Sequence, residues 1–251
     1  MKLFQTILLA WSVVFLTKPC MALDPNVEQL IVSIAPTWSS MTGKLQCFEK
    51  VNGKWIPASA VIPVLYGKNG LAWGIGEHPH QEGLAKEEKD RRSPAGIFTI
   101  GTIYTYDSAL PKGANFPFHT IGKGDAWIDD VTHPKYNQHV VIDPANPPPW
   151  FEKQKMRHGD FAYRWLVEIR HNSNPPQSGK GSAIFFHIRR GESTPTFGCT
   201  TMAEKDLVKL IQWLRANKKP TYVLLPAEEY RKLFKPWGLP EPKSIPSVLA
   251  F

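Results

Sequence analysis

Apolar and polar residues alternate with a period of two through much of the chain, the pattern of strands that bury one face. Residues 27–34 and 43–51 read as short strands of this kind. Between the second strand and the next run lies Val51-Asn52-Gly53-Lys54, which predicts a two-residue hairpin because Asn-Gly readily takes the positive φ such turns need. Further strand-like runs at 60–66, 96–104, 138–142, 163–170 and 183–188 are separated by clusters of Gly, Pro and Asn. Tyr222-Val223-Leu224-Leu225-Pro226 is wholly apolar, as expected of a strand covered on both faces. One stretch changes period: Leu207, Leu210, Ile211 and Leu214 recur at helical spacing, which predicts a helix from about Ala203 that ends before Pro220. The last segment, 227–251, is proline-rich and is expected to wrap the surface as a tail. The prediction is a mainly β protein with a few helices.

Composition narrows this picture without overturning it. The 251 residues are 42% apolar, 12% aromatic and 21% charged, enough for one sizeable core and ordinary for a globular protein, with no repeat or coiled-coil heptad. The N-terminus reads as a secretory leader: Lys2 supplies the positive end, 7–16 is an apolar run, and Cys20-Met21-Ala22 precedes a cut. A signal peptide over 1–22 and one principal domain over 23–226 follow, with an uncleaved anchor as the alternative. The apolar run is about ten residues where a span needs about 20, so no stable membrane insertion is expected after cleavage. Thr17-Lys18-Pro19 also lacks the small residues that precede a lipidated cysteine. The expected location is the periplasm or cell envelope.

Formal charge is +8, and about +6 once Lys2 and Lys18 leave with the leader, which suits an anionic polymer such as cell wall or nucleic acid. No arginine-rich helix or aromatic RNA-binding motif is present, so nucleic acid is not the predicted partner. Removal of Cys20 leaves Cys47 and Cys199. They either form a disulfide, as an oxidising compartment permits, or divide into one structural and one reactive thiol.

The informative stretch is Gly181-Ser182-Ala183-Ile184-Phe185-Phe186-His187-Ile188, a polar loop, then Thr196-Phe197-Gly198-Cys199-Thr200-Thr201-Met202. A strand delivers a histidine and a loop returns a cysteine. A thiol becomes a nucleophile as thiolate, and an imidazole titrating near neutrality takes that proton and later returns it. If the helix begins just after Cys199, its dipole favours thiolate, and the Gly198 and Cys199 amides are candidate oxyanion donors. The competing reading makes His187 a satisfied core histidine and Cys199 a small residue before a helix.

His187 followed by Thr196-Phe197-Gly198-Cys199 resembles the signature of the L,D-transpeptidase catalytic domain, the YkuD-like family, a histidine and then [Ser/Thr]-x-Gly-Cys. Lys86 through Arg91-Arg92-Ser93-Pro94-Ala95-Gly96-Ile97-Phe98 resembles the family's [Ser/Thr]-Pro-x-Gly segment. Trp127-Ile128-Asp129-Asp130 with His133-Pro134-Lys135-Tyr136-Asn137, and the stretch ending at His187, resemble one branch of it. Phe197 and Thr201 stand where many members have histidine and arginine.

The resemblance implies a YkuD-like mixed β-sandwich or barrel-like catalytic domain. It implies attack by Cys199 on the third residue of a peptidoglycan stem peptide, loss of terminal D-alanine, and acyl transfer to an amine, with no metal or cofactor. Hydrolysis of the same acyl-enzyme, as in an L,D-carboxypeptidase or amidase, is the alternative reaction. A non-catalytic murein-binding protein is the alternative of another class. The family's thiol also makes carbapenems candidate acylating agents.

Among polar residues, Arg189 and Arg190 follow the base and are candidate partners for a stem-peptide carboxylate, against a merely solvated loop. Arg92, Thr196 and Phe197 join them as substrate candidates. Trp127, Asp129, Asp130, Tyr136 and Asn137 put aromatic, acidic and amide groups into one loop-rich stretch, as a pocket requires. Asp129 and Asp130 are otherwise turn residues. His171-Asn172 is a candidate to orient substrate or His187. His78-Pro79-His80 and His119 raise zinc, but no helix carries paired histidines four apart, so no metal site is predicted.

Overall fold

A computed structural model describes residues 22–250; apart from Ala22, the leader expected over 1–22 lies outside them. The chain runs β1 (Gln29–Ala35), β2 (Thr42–Val51), β3 (Lys54–Pro57), β4 (Ile62–Leu65), β5 (Leu71–Trp73), β6 (Ser93–Thr105), β7 (Phe118–Thr120), β8 (Asp125–Trp127), β9 (His139–Val141), α1 (Phe151–Gln154), β10 (Trp165–Ile169), β11 (Phe185–Ile188), β12 (Thr200–Met202), α2 (Glu204–Trp213), β13 (Thr221–Pro226), α3 (Ala227–Trp237) and α4 (Pro246–Leu249). The predicted Asn52-Gly53 hairpin joins β2 to β3, with φ of 50° and 76° at its two turn residues.

The strands follow the order β1-β13-β6-β10-β11-β12-β4-β2, and β2 pairs back onto β1, so the sheet closes on itself as a barrel-like ring. This is the mixed β domain expected from the pattern. β1 and β13 pair in parallel from Leu30 against Thr221 to Ala35 against Pro226, and every residue of both is buried. Such strands need cover on both faces, which is why they lack alternation. Leu30, Ile34, Leu45, Ile97, Phe98, Phe186 and Leu225 fill the centre of the resulting core.

Two outer features position the site. α2 buries Leu207, Leu210 and Ile211, the face its spacing predicted. β8 and β9 form a separate ribbon, with Asp125 opposite Val141 and Trp127 opposite His139. Trp127 of this ribbon packs against Phe185 of β11. Among the described residues no helix is long and apolar enough to cross a membrane.

The segment expected to be a proline-rich tail is instead largely helical. α3 buries Ala227, Tyr230 and Trp237, and Gly238 closes it with φ of 72°. Ile245 and Val248 continue into the main core. The prolines masked a helical period because Pro236 falls in the last turn of α3, and Pro242 and Pro246 fall in the first turns of short helices, where a missing N–H is harmless.

Candidate active site

β11 and β12 run parallel, with Phe186 opposite Thr200 and His187 opposite Thr201. Continuing that register, Cys199 lies beside Phe185, and side chains two apart on a strand share a face. Cys199 and His187 are thus brought to one face of adjoining strands. Tyr163 closes the arrangement: it lines the cleft that contains Cys199, and its ring meets the His187 ring edge-on at 5.1 Å.

The cleft holds about 190 Å³ and is bounded by Trp127, Met156, Tyr163, Leu166, Ala183 and Phe185, with Asp129, Lys153, Gln154, Lys155 and His158 at its rim. Trp127 and Phe185 pack edge to face at 4.9 Å to make its aromatic wall. A larger cavity of about 500 Å³, lined by Leu23, Ile97, Phe116, Arg170 and Pro220 among others, contains no thiol or histidine.

His187 is buried, and its Nδ1 lies 2.9 Å from the Ile188 carbonyl oxygen. A carbonyl only accepts, so Nδ1 carries the proton and Nε2 keeps its lone pair. Burial lowers the imidazole pKa to about 4, opposed by the Ile188 carbonyl, so the ring is a neutral acceptor at pH 7. Burial likewise pushes the Cys199 thiol up to about 11, while the Phe185 main-chain N–H and the charges of Arg190 and Lys86 favour thiolate. Its Sγ donates to the Ala183 carbonyl at 3.4 Å. The resting pair is therefore a thiol and a neutral base.

Two expectations about activation change. The residues after Cys199 form β12, and α2 begins only at Glu204, so the sulfur does not stand at the N-terminus of that helix. The Gly198 N–H is already donated to Thr196 Oγ1 at 3.0 Å, and Thr196 Oγ1 in turn donates to the Cys199 carbonyl at 2.6 Å. Gly198, with φ of 148° and a Cβ position 3.0 Å from the Arg92 carbonyl, is needed for the turn rather than as an oxyanion donor.

The other predicted residues divide. Trp127 and Asp129 line the cleft, and Asp129 is bound to Gln154 through N to Oε1 and Oδ1 to Nε2, both 2.8 Å. Asp130 faces away from it, accepting from the Thr132 amide and hydroxyl as a turn residue. Arg190 stacks on Tyr163 and is paired with Asp160. Arg189 reaches Glu192 at 3.7 Å, and Arg92 donates to the carbonyls of Asn69 and Leu71. Phe197 is 75% exposed under Arg91, outside the cleft.

Tyr136 and Asn137 act behind the cleft. Asn137 is buried with φ of 55°; its Oδ1 accepts from Trp127 Nε1 at 3.1 Å and the Ala183 amide at 3.0 Å, and its Nδ2 donates to the carbonyls of His171 and Asn172. Glu88 accepts from the Tyr136 hydroxyl and from Ser182 Oγ. Asp90 accepts from Lys86 Nζ at 2.5 Å and from the amides of Glu87 and Arg92. The sequence blocks containing Lys86, Tyr136 and Ser182 thus meet at one hub, which fixes the turn whose Ala183 carbonyl receives the thiol.

His171 does not orient His187. Its Nδ1 accepts from the Ile75 amide and its Nε2 donates to the Lys180 carbonyl, so both ring nitrogens are engaged elsewhere. Met156, Leu166, Tyr163, Lys153, Lys155 and His158 were not singled out by sequence. Only the last three are of types that mark a site, and their neighbours gave no motif.

Cys47 and Cys199 are both free, which removes the disulfide alternative. Residues 52–223 match the family YkuD, the L,D-transpeptidase catalytic domain. No curated protein has a matching sequence. A solved structure, the helical cell shape determining protein Pgp2 from Campylobacter jejuni, is similar at 12% identity and a TM-score of 0.37, over 82% of this chain and 52% of that one. The chain spans about half the length of that protein.

Proposed function

Because the chain belongs to the L,D-transpeptidase catalytic domain family, YkuD, through residues 52–223, we propose that it is a cysteine acyltransferase acting on peptidoglycan stem peptides outside the cytoplasmic membrane. The observation that carries this reading is the tautomer of His187. With its Nδ1 proton held by the Ile188 carbonyl, Nε2 keeps the lone pair that would receive the Cys199 proton.

The Cys199 sulfur then attacks the carbonyl carbon at the L-centre of the third stem residue. The tetrahedral intermediate collapses with cleavage of the C–N bond to terminal D-alanine, and the His187 proton goes to that leaving amine. An acceptor amine attacks the thioester, the C–S bond breaks, and the sulfur regains a proton through His187. Every step uses residues of this chain. Lys153 and Lys155 at the rim suit the carboxylates of a stem peptide, and Trp127, Tyr163 and Phe185 offer apolar contact for its aliphatic portion.

The test is incubation with tetrapeptide muropeptides, with intact-protein and product masses resolved. An acyl adduct that maps to Cys199 is expected, and crosslinked dimers indicate transfer to an amine. Tripeptide monomers alone replace the acceptor with water but keep the thioester. Full activity in a Cys199→Ala variant sinks the proposal. A carbapenem is expected to leave a covalent adduct on the same sulfur.

A further inference from the structure

A second cluster of chemistry-bearing side chains lies on the far side of the aromatic wall. His119 from β7, Asp125 from β8 and His139 from β9 converge so that their ligand atoms all lie within 4.8 Å of one another. The Nε2 atoms of both rings point at the same Asp125 oxygen, at 2.6 and 2.5 Å. The other carboxylate oxygen accepts the Gly122 amide at 2.7 Å, which sets the carboxylate plane. Tyr104 packs edge-on or tilted against both rings, at 5.9 Å to His119 and 4.9 Å to His139, and so restricts how they turn.

Two imidazoles and one carboxylate are a donor set for borderline divalent transition metals, zinc above all, and are ill suited to calcium or magnesium. Asp125 is buried while the two imidazoles are partly exposed, so an ion has both an anchored anionic ligand and a route from solvent. The present N to O spacings are hydrogen-bond lengths. Ligands about 2.0–2.1 Å from a tetrahedral zinc stand about 3.3 Å apart, so entry of an ion requires the rings to withdraw by under an ångström. His119, with its side chain 37% exposed, has room to do so.

We propose that His119, Asp125 and His139 form a binding site for a zinc-class divalent cation that clasps β7 of the barrel to the β8–β9 ribbon and so stiffens the Trp127 wall of the thiol cleft. The connection is direct. Trp127 pairs with His139 across the ribbon, and the Asp125 carbonyl accepts from the Met156 amide, placing both ends of that wall on metal-ligand residues. The cation has a structural role, and acyl transfer on Cys199 proceeds without it. In the sequence His119 raises zinc only beside His78 and His80; its partners Asp125 and His139 come from separate strands, at spacings of six and fourteen residues that match no helical pattern.

The test uses the chain carrying Cys199→Ala, which removes the cleft sulfur as a competing ligand. The protein is stripped with EDTA and titrated with zinc chloride, following heat by calorimetry, stoichiometry by native mass spectrometry and melting temperature. One zinc per chain and a melting temperature raised by several degrees are expected, with slower amide exchange across 123–128 and 137–142. His119→Gln and His139→Gln are each expected to weaken binding at least tenfold while circular dichroism is unchanged. Cobalt(II) in place of zinc is expected to give a visible d–d spectrum that both variants lose. Zinc binding below one-tenth of an equivalent, or binding that neither histidine variant alters, overturns the proposal. Both results leave the muropeptide assay unaffected, so failure here is distinguishable from failure of the thiol chemistry.

Discussion

The described residues hold two free thiols that burial shifts the same way and their surroundings treat differently. Cys47 sits inside β2 opposite Ile31 of β1, and burial pushes it up to about 12, with only Ser59 opposing. Cys199 is pushed up to about 11, but it opens onto a cleft and is faced by a main-chain N–H, two cationic side chains and a strand that also presents an imidazole. Burial alone therefore makes a thiol inert. Reactivity comes from what the surrounding chain offers the anion once a substrate displaces water from the cleft.

The largest expected effect separates the two thiols outright. Cys199→Ala is expected to lower muropeptide turnover at least about a thousandfold. Cys47→Ala is expected to leave turnover within about twofold and cost about 1–2 kcal/mol in denaturant unfolding. Iodoacetamide at pH 8 should label Cys199 and spare Cys47 in the folded chain, and equal labelling of Cys47 would erase the distinction.

Acid provides the next test. Burial depresses His187 to about 4 and His171 to about 3 from an ordinary 6.5, so the unfolded chain takes up protons first as pH falls. Stability is fully present above about 6.5 and is lost as pH drops toward 4 and 3, at about 1.4 kcal/mol for each unit of separation at each site. Chemical denaturation at pH 7 and pH 4.5 should differ by several kcal/mol, and turnover should fall only as pH approaches 4. A flat stability curve over that interval would mean that neither ring is held neutral by burial.

Asn137→Ala removes partners from Trp127, the Ala183 amide and two carbonyls together. About 2–4 kcal/mol of stability should be lost, and turnover should fall although Asn137 touches no substrate. A change confined to turnover would place Asn137 in the cleft itself. The smallest effect is expected at Thr201, which sits opposite His187 with its buried Oγ1 unpartnered. Thr201→Val should be neutral or stabilising by up to about 1 kcal/mol, and loss of activity would reveal a hydroxyl role beside the base.

Much of this arrangement was legible in the sequence because it depends on local pattern. Alternation located the barrel strands, an Asn-Gly pair located the hairpin, and a His strand followed by a Gly-Cys loop located the candidate pair that the fold brings to one face. What escaped was set by tertiary context. Thr200-Thr201-Met202 became a strand because β11 and β4 flank it, and no residue of that triplet announces that the helix starts later. Asp129 and Asp130 are adjacent and chemically identical, yet one meets Gln154 at the cleft and the other caps a turn. The helix of 227–237 was hidden by prolines whose positions are tolerated only at helix ends.

The parallel pairing of β1 with β13 constrains the order of assembly. The first strand of the barrel finds one neighbour in β2 close by, but its other edge stays open until residues 221–226 arrive. A chain that emerges N-terminus first therefore carries an unsealed, mostly apolar edge until about 190 further residues have followed β1. Seam closure joins segments far apart in sequence, the kind of contact that general folding physics makes slow and exposed to aggregation.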